Sequence, residues 1–504
     1  MPPVARPFLA SSIAACRNAS TPGFKHAKRK AARLSQRNSR PIFGCQRIAA
    51  DTADRFFLCR PASPPNIPTV VQLRDADKTI IANWRLGWLL HPGAWFWLAM
   101  ALGAAIRFYL VVFTQGTYDV TLWQQHAAGV RDLGLIGYYH SNALMNHPPF
   151  IAVVASFLLR LADATGIPFR ILLRGPFVLL DGGTTLLLLG LLWHKPWRFA
   201  AAAGYWLNPL SLIFSAYHGN TDSAVAFFVL LCVCLLSRGK TIAAGAALGM
   251  GFWIKLPGVL AIPALVFFIP EWRKRLIFLF ATGMTALLAY LPVLIRDAGI
   301  VQANVFGYRG QMLHTTSGVP VWGLRVLISS FLPAPDEWPA SGIHLANFVL
   351  HYSWLIAILL ILLLAWLRRS CRSASEICAT IAASYTIIYG FTDYWAFQYF
   401  AWSVPFWFFV RPRFLVPAMI LAGGYIYSLY WFLCGNPWLS GKWDFIGHPS
   451  WPEMVMEFRD LAVLFFFVSA WVFLISALRE QIVTWFRPPN AGSPDNSSPV
   501  NKGN

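Results

Sequence analysis

Residues 148–161, PPFIAVVASFLLRL, decide how this chain is threaded. They are apolar for about fourteen residues, whereas a helix that crosses a bilayer needs about 20. A longer apolar run, 171–193, follows closely. If 148–161 crossed, then Lys195 and Arg198, Arg238 with Lys240, and the cluster Arg273, Lys274 and Arg275 would all face away from the cytoplasm. Short cytoplasmic loops are the ones that collect basic residues. Read as a re-entrant or interfacial helix, the stretch lets the apolar segments alternate cleanly. The spans then run over 92–113, 171–193, 199–217, 224–237, 241–253, 258–270, 274–295, 343–367, 376–391, 397–410, 413–433 and 457–479. The expected fold class is therefore all-α, a polytopic transmembrane helical bundle of about 12 spans with a re-entrant or interfacial helix, long outward loops and both termini cytoplasmic.

Composition agrees. Of 504 residues 57% are apolar and only 12% charged, with 23 Trp and 39 Phe, which is too apolar for a soluble core. The net charge of +20 would suit a nucleic-acid binder, but much of the basic excess lies before the first span, at Lys25, Lys28, Arg29, Lys30, Arg33, Arg37, Arg40, Arg47, Arg55 and Arg60. Positive charge there keeps that end in the cytoplasm, and no nucleic-acid partner is expected. A transit peptide or a nucleic-acid arm is the alternative for this Arg- and Ser-rich, acid-poor start. Residues 1–90 lack periodicity and read as a basic, mostly disordered cytoplasmic extension, 91–486 as the transmembrane domain, and 487–504 as a disordered cytoplasmic tail. The cysteines show no metal-ligand spacing, so no zinc site or disulfide framework follows.

The topology collects the polar motifs on one face. Outward lie the loop 114–147 with Asp119, the run His218-Gly-Asn-Thr-Asp-Ser223, a short turn around Lys255, the long loop 296–342, the turn 390–398 and the loop 434–457. The run after Tyr217 is costly at membrane depth unless it lines an aqueous or protein-walled cavity. Apolar residues at helical spacing from Val120 to Leu135 predict an amphipathic helix along the membrane surface. Lys255, a lone lysine in an outward turn, is either snorkelling or a cation for a phosphate. Within the spans, Asp181 lies seven residues after Arg174 on one helical face. An internal, structural pair is expected there, with Arg107 in a similar role.

In order along the chain stand TYD with Asp119, HPP with His147, Pro148 and Pro149, NP followed by GN-x-D with Asn208, Asn220 and Asp222, a Lys-Pro turn at Lys255 and Pro257, and Q-Y-x-x-W with Gln398, Tyr399 and Trp402. Over residues 92–410 this order resembles the GT-C superfamily of integral-membrane glycosyltransferases, whose donors are polyprenyl- or dolichyl-phosphate-linked sugars. The resemblance implies a hexosyltransferase, of mannose or glucose, acting on the extracytoplasmic side. It implies a substrate-binding role for His147, Asn220 and Gln398. Its partners would be a polyprenyl-phosphate-linked sugar, a lipid, glycan or protein acceptor, and membrane lipids. Asp119 stands alone where some members carry paired acids, which leaves a divalent cation, Mg or Mn, open as a cofactor; no metal ligands are assigned.

Sugar transfer from a lipid phosphate to a hydroxyl needs a general base and stabilisation of the departing phosphate. Asp119 is expected as the base, with a helix cap as its alternative role. Asp222 is the second catalytic candidate, orienting the acceptor or a cation, or else capping a helix. Lys255, His218, Arg309 and His314 are the phosphate candidates, and Tyr394 is one of the aromatics able to stack on a sugar. The loop 296–342 is expected to act as a gate. A secondary transporter of a polar solute or lipid-linked substrate is the alternative, but no internal repeat is found. Outward loops carry no N-glycosylation sequon, which favours a bacterial plasma membrane over the endoplasmic reticulum.

Overall fold

The computed structural model describes residues 93–142, 145–307, 321–331, 339–393, 396–443 and 451–486, and every regular element among them is a helix. The all-α expectation holds. The proposed extensions 1–90 and 487–504, together with Arg309, His314 and Tyr394, lie outside the described residues.

The first apolar helix, α1 (Ala94–Phe113), leads to α2 (Tyr118–Ser141), which breaks its helical backbone at Gly134 (φ 71°). Next is α3 (Pro149–Thr165), the stretch that decides the threading. Proline suits its first turn, and Gly166 in the left-handed conformation closes it by donating to Ala162 O. With 17 residues α3 is shorter than the about 20 residues of a typical span. Helix α4 (Phe169–Leu191) packs its Phe169, Leu173 and Phe177 against Val120, Trp123 and Ala127 of α2.

The segment expected as one span over 199–217 is broken. It runs as α5 (Arg198–Trp206), a single turn at Pro209–Ser211 and a π-helix, Leu212–His218. Asn208 accepts from Leu210 N–H and restarts the chain at the proline. The sequence continues through α6 (Asp222–Leu236), α7 (Thr241–Phe252), a 3₁₀ turn (Leu256–Ala261) with α8 (Ile262–Phe268), and α9 (Trp272–Val301). The loop expected over 296–342 is partly helical: α9 runs on to Val301, and a π-helix (Gln302–Phe306), α10 (Leu324–Phe331) and the start of α11 (Ala340–His351) fall inside it. Then come α12 (Ser353–Leu367), α13 (Ala374–Phe391), a 3₁₀ turn (Phe397–Trp402) with α14 (Val404–Trp407), α15 (Pro412–Cys434) and α16 (Glu453–Phe486). Helix α13 is buried nearly all round and forms the heart of the C-terminal half, as an apolar helix must when protein surrounds it.

Among the described residues five helices are long and apolar enough to cross a membrane, or six if the bent pair α11–α12, meeting at 64°, counts as one span. Helices α6 and α7, and the 3₁₀ turn with α8, are apolar but shorter. The count of twelve spans therefore rests on segments that the structure breaks or shortens, a feature of chains in which irregular backbone lines a protein-walled cavity.

Gly245 and Gly249, four residues apart on one face of α7, let it meet α9 backbone to backbone. A Cβ at Gly245 would lie 2.6 Å from Phe278 O, and one at Gly249 2.6 Å from Thr282 O. Small residues at this spacing are how helices approach closely where lipid removes the hydrophobic drive between them. Gly249→Leu is expected to destabilise the protein by about 1–3 kcal/mol or more through overpacking. Gly283→Ala, in open space on α9, serves as the neutral control, and thermal unfolding in detergent compares them.

Candidate functional site

The break at Leu207–Asn208 and the π-helix after it carry His218 to a point where three distant parts of the chain meet. Asp119 sits in the first turn of α2, whose Thr117 and Asp119 make no side-chain cap. Its Oδ2 instead lies 2.8 Å from His218 Nε2 and accepts from Asn220 Nδ2 at 3.2 Å. Its Oδ1 makes no hydrogen bond among the described residues, and 35% of the side chain is exposed. On the other side of the ring His218 Nδ1 meets Tyr430 OH of α15 at 2.5 Å. With Asp119 ionised, Nε2 carries the proton given to it; Nδ1 then accepts from Tyr430 when the ring is neutral and donates to it when charged. Asn220 is itself held, since its Oδ1 accepts from Thr221 N–H at 2.6 Å and Thr221 Oγ1 at 3.0 Å.

Burial alone would raise the pKa of Asp119. The His218 charge and hydrogen bond, with Lys255 behind them, outweigh burial and hold the carboxyl below the ordinary aspartate value. His147 and His126 go the other way: burial, aided for His147 by Lys255, lowers them to about 3 and about 4, so both are neutral at physiological pH. His147 lies over Trp123, ring centroids 4.3 Å apart, at the start of α3. His126 Nδ1 is 2.9 Å from Tyr138 OH.

A second ion pair stands beside the first. Lys255, in the turn after α7, donates to Asp222 Oδ2 at 2.6 Å, and Trp402 Nε1 donates to Asp222 Oδ1 at 2.6 Å. Asp222 is fully buried and both of its oxygens are engaged, so it neither caps α6 nor contacts Asp119. The cation it orients is the chain's own lysine. Lys255 keeps 17% of its side chain exposed and lies 5.5 Å from the centroid of the Tyr399 ring. Gln398, half-buried, is next to Phe397, whose ring centroid is 6.2 Å from that of His218.

The structure thus brings together Asp119, His218 and Asn220, sets Lys255 and Asp222 beside them, and leaves His147 nearby on Trp123. His218, expected as a phosphate ligand, has both ring nitrogens engaged by protein groups. Two residues here were not anticipated: Tyr430, which lies 212 residues from His218 in sequence, and Trp123. Tyr430 lies in the expected span 413–433 and Trp123 in the expected surface helix from Val120 to Leu135, so no local signal marked them.

Within the helices the expected partner of Asp181 is corrected. Arg107, not Arg174, binds it at 3.0 Å, with Tyr205 OH donating to its other oxygen at 2.8 Å. Arg174 turns away from Asp181 and bonds to backbone carbonyls at the end of α1. The described residues include no group of three His, Cys, Asp or Glu side chains able to hold a metal ion together.

No curated protein matches the chain. A family profile does match, over residues 146–390, a segment that contains His147, His218, Asn220, Asp222 and Lys255 and is flanked by Asp119 and Tyr430. That profile is glycosyltransferase family 87, a GT-C-like family, so this segment is of the integral-membrane glycosyltransferase kind that the motif order resembles.

Proposed function

We propose that this multi-pass glycosyltransferase moves a single hexose, mannose or glucose, from a polyprenyl-phosphate donor to an acceptor hydroxyl on the extracytoplasmic side, with Asp119 as general base. The observation that carries the reading is the Asp119–His218 contact of 2.8 Å beside a mostly buried lysine that keeps some contact with solvent. The acceptor oxygen attacks the anomeric carbon, the bond from that carbon to the donor phosphate oxygen breaks, and the acceptor proton passes to Asp119 Oδ1. His218 and Asn220 hold Oδ2 and keep the carboxylate ionised. Lys255, oriented by Asp222, has two N–H donors left for the phosphate as its charge grows, a charge-assisted contact. His147, neutral, is suited to donate or accept a neutral hydrogen bond to the sugar. The acceptor is a lipid, glycan or protein.

Incubating the purified protein in detergent with radiolabelled polyprenyl-phosphate mannose, glucose or arabinose tests this. Label should leave the lipid for one hexose donor; if every donor keeps its label in the presence of a membrane-lipid acceptor extract, the donor class is wrong.

The electrostatics give a pH dependence. A base whose pKa is depressed stays ionised until pH falls below the ordinary aspartate value of about 3.9, so the acid limb of turnover lies below it. His218→Ala removes the charge and hydrogen bond that lower Asp119 and leaves the burial that raises it. The acid limb should move upward in pH-rate profiles of that variant. An unmoved limb would mean that a different group titrates.

A further inference from the structure

The Arg174 guanidinium is wholly buried and has no carboxylate partner among the described residues. Its charge is met by backbone. Nη2 donates to Val111 O and Thr114 O, both at 2.8 Å, and Nη1 to Tyr217 O at 3.3 Å and Thr114 Oγ1 at 3.2 Å. Nε donates to Arg170 O at 3.0 Å. Val111 and Thr114 are at the C-terminal end of α1, and Tyr217 is at the C-terminal end of the π-helix. Carbonyls at helix C-termini lack intrahelical partners and carry partial negative charge, so one arginine serves as a shared cap for two helices.

Those two ends lead directly to the site. The chain runs from Thr114 through Gly116 to Asp119, and from Tyr217 to His218 and Gly219. Both glycines have left-handed backbones (φ 81° and 65°) and both wrap the arginine. A Cβ at Gly219 would lie 2.4 Å from Arg174 Cγ; one at Gly116 would lie 3.0 Å from its Nη1 and 2.9 Å from Tyr217 O. No side chain fits between the turns and the arginine.

We infer that Arg174 is a positioning residue: by joining the ends of α1 and the π-helix it sets the separation at which Asp119 meets His218, and through that contact the basicity of Asp119. This rests on Asp119 being the base. Lysine at 174 keeps the charge but not the fork that reaches several carbonyls at once. Small displacements of reacting groups are costly in rate, up to about 10²-fold for about 1 Å.

The test is a cycle of Arg174→Lys and Asp119→Asn in the full chain, reading turnover, donor KM and pH profile. Arg174→Lys should lower kcat roughly ten- to a hundredfold with donor KM within about twofold, because the lost interaction acts at the chemical step. Its acid limb should rise as His218 loosens its hold. In the Asp119→Asn background the same substitution should change the residual rate by less than about twofold, since residues acting as one unit are not additive. Thr114→Val, which removes one acceptor of Arg174 at little change in volume, should give the same pattern at about two- to tenfold, and decides the matter if Arg174→Lys does not accumulate folded. Near-normal turnover of Asp119→Asn overturns the base assignment and this inference with it. Collapse of Asp119→Asn together with a wild-type kcat and acid limb for the folded fraction of the Arg174 or Thr114 variant overturns this inference alone, as does an equal rate loss in both backgrounds.

Discussion

Replacing Asp119 by Asn is expected to lower turnover by about 10²- to 10⁴-fold, the usual contribution of general-base catalysis, while leaving donor affinity nearly intact. The amide keeps the size of the side chain and can still accept a hydrogen bond from His218 at one atom, so the local packing survives. What it lacks is the ability to take a proton at the position of Oδ1. The usual fallback, another carboxylate taking over, is not open here. Asp222 is buried with Lys255 on one oxygen and Trp402 on the other, and using it as a base would break the pair. Comparing donor binding with turnover in this variant separates loss of chemistry from loss of substrate.

Lys255→Ala is expected to weaken donor binding by about ten- to a hundredfold, the value of one charge-assisted contact of about 1.5–3 kcal/mol. It should also destabilise the fold. Removing the lysine strands a carboxylate that is fully buried, and breaking a buried pair from one side costs about 3–5 kcal/mol. Lys255 keeps some contact with solvent, which places the expected loss at the lower end of that range. The two effects come apart in the double variant Lys255→Ala, Asp222→Asn, whose amide is uncharged and keeps an acceptor oxygen for Trp402 Nε1. With no stranded charge the thermal stability should recover, while donor affinity stays low. Normal donor binding by either variant would return Lys255 to a purely structural role within the ion pair.

The helical class was legible because apolar runs of span length have few other readings. The broken segments were not, since Asn208–Pro209 and the π-helix after it differ from a straight span only in backbone hydrogen bonding, which composition does not record. The site was legible in part. Asp119, His218, Asn220 and Lys255 stand out as polar residues where polar residues are costly, and their order along the chain carried the family resemblance. Their pairing was not readable: Asp222, expected to orient the acceptor or a cation, holds the chain's own Lys255, and the partner of Asp181 comes from α1 and not from its own helix. Tyr430 and Arg174 depend on contacts between segments far apart in sequence. Periodicity within one helix cannot reveal such contacts.

The most direct measurement is single-turnover transfer from a donor already bound. Wild-type protein and Asp119→Asn are loaded with equal amounts of radiolabelled polyprenyl-phosphate hexose, acceptor is added, and the lipid-linked label is followed in time. The account predicts rapid loss of label from the wild type and, from equally loaded Asp119→Asn, a loss slower by about 10²-fold or more. Equal rates from the two proteins would contradict it.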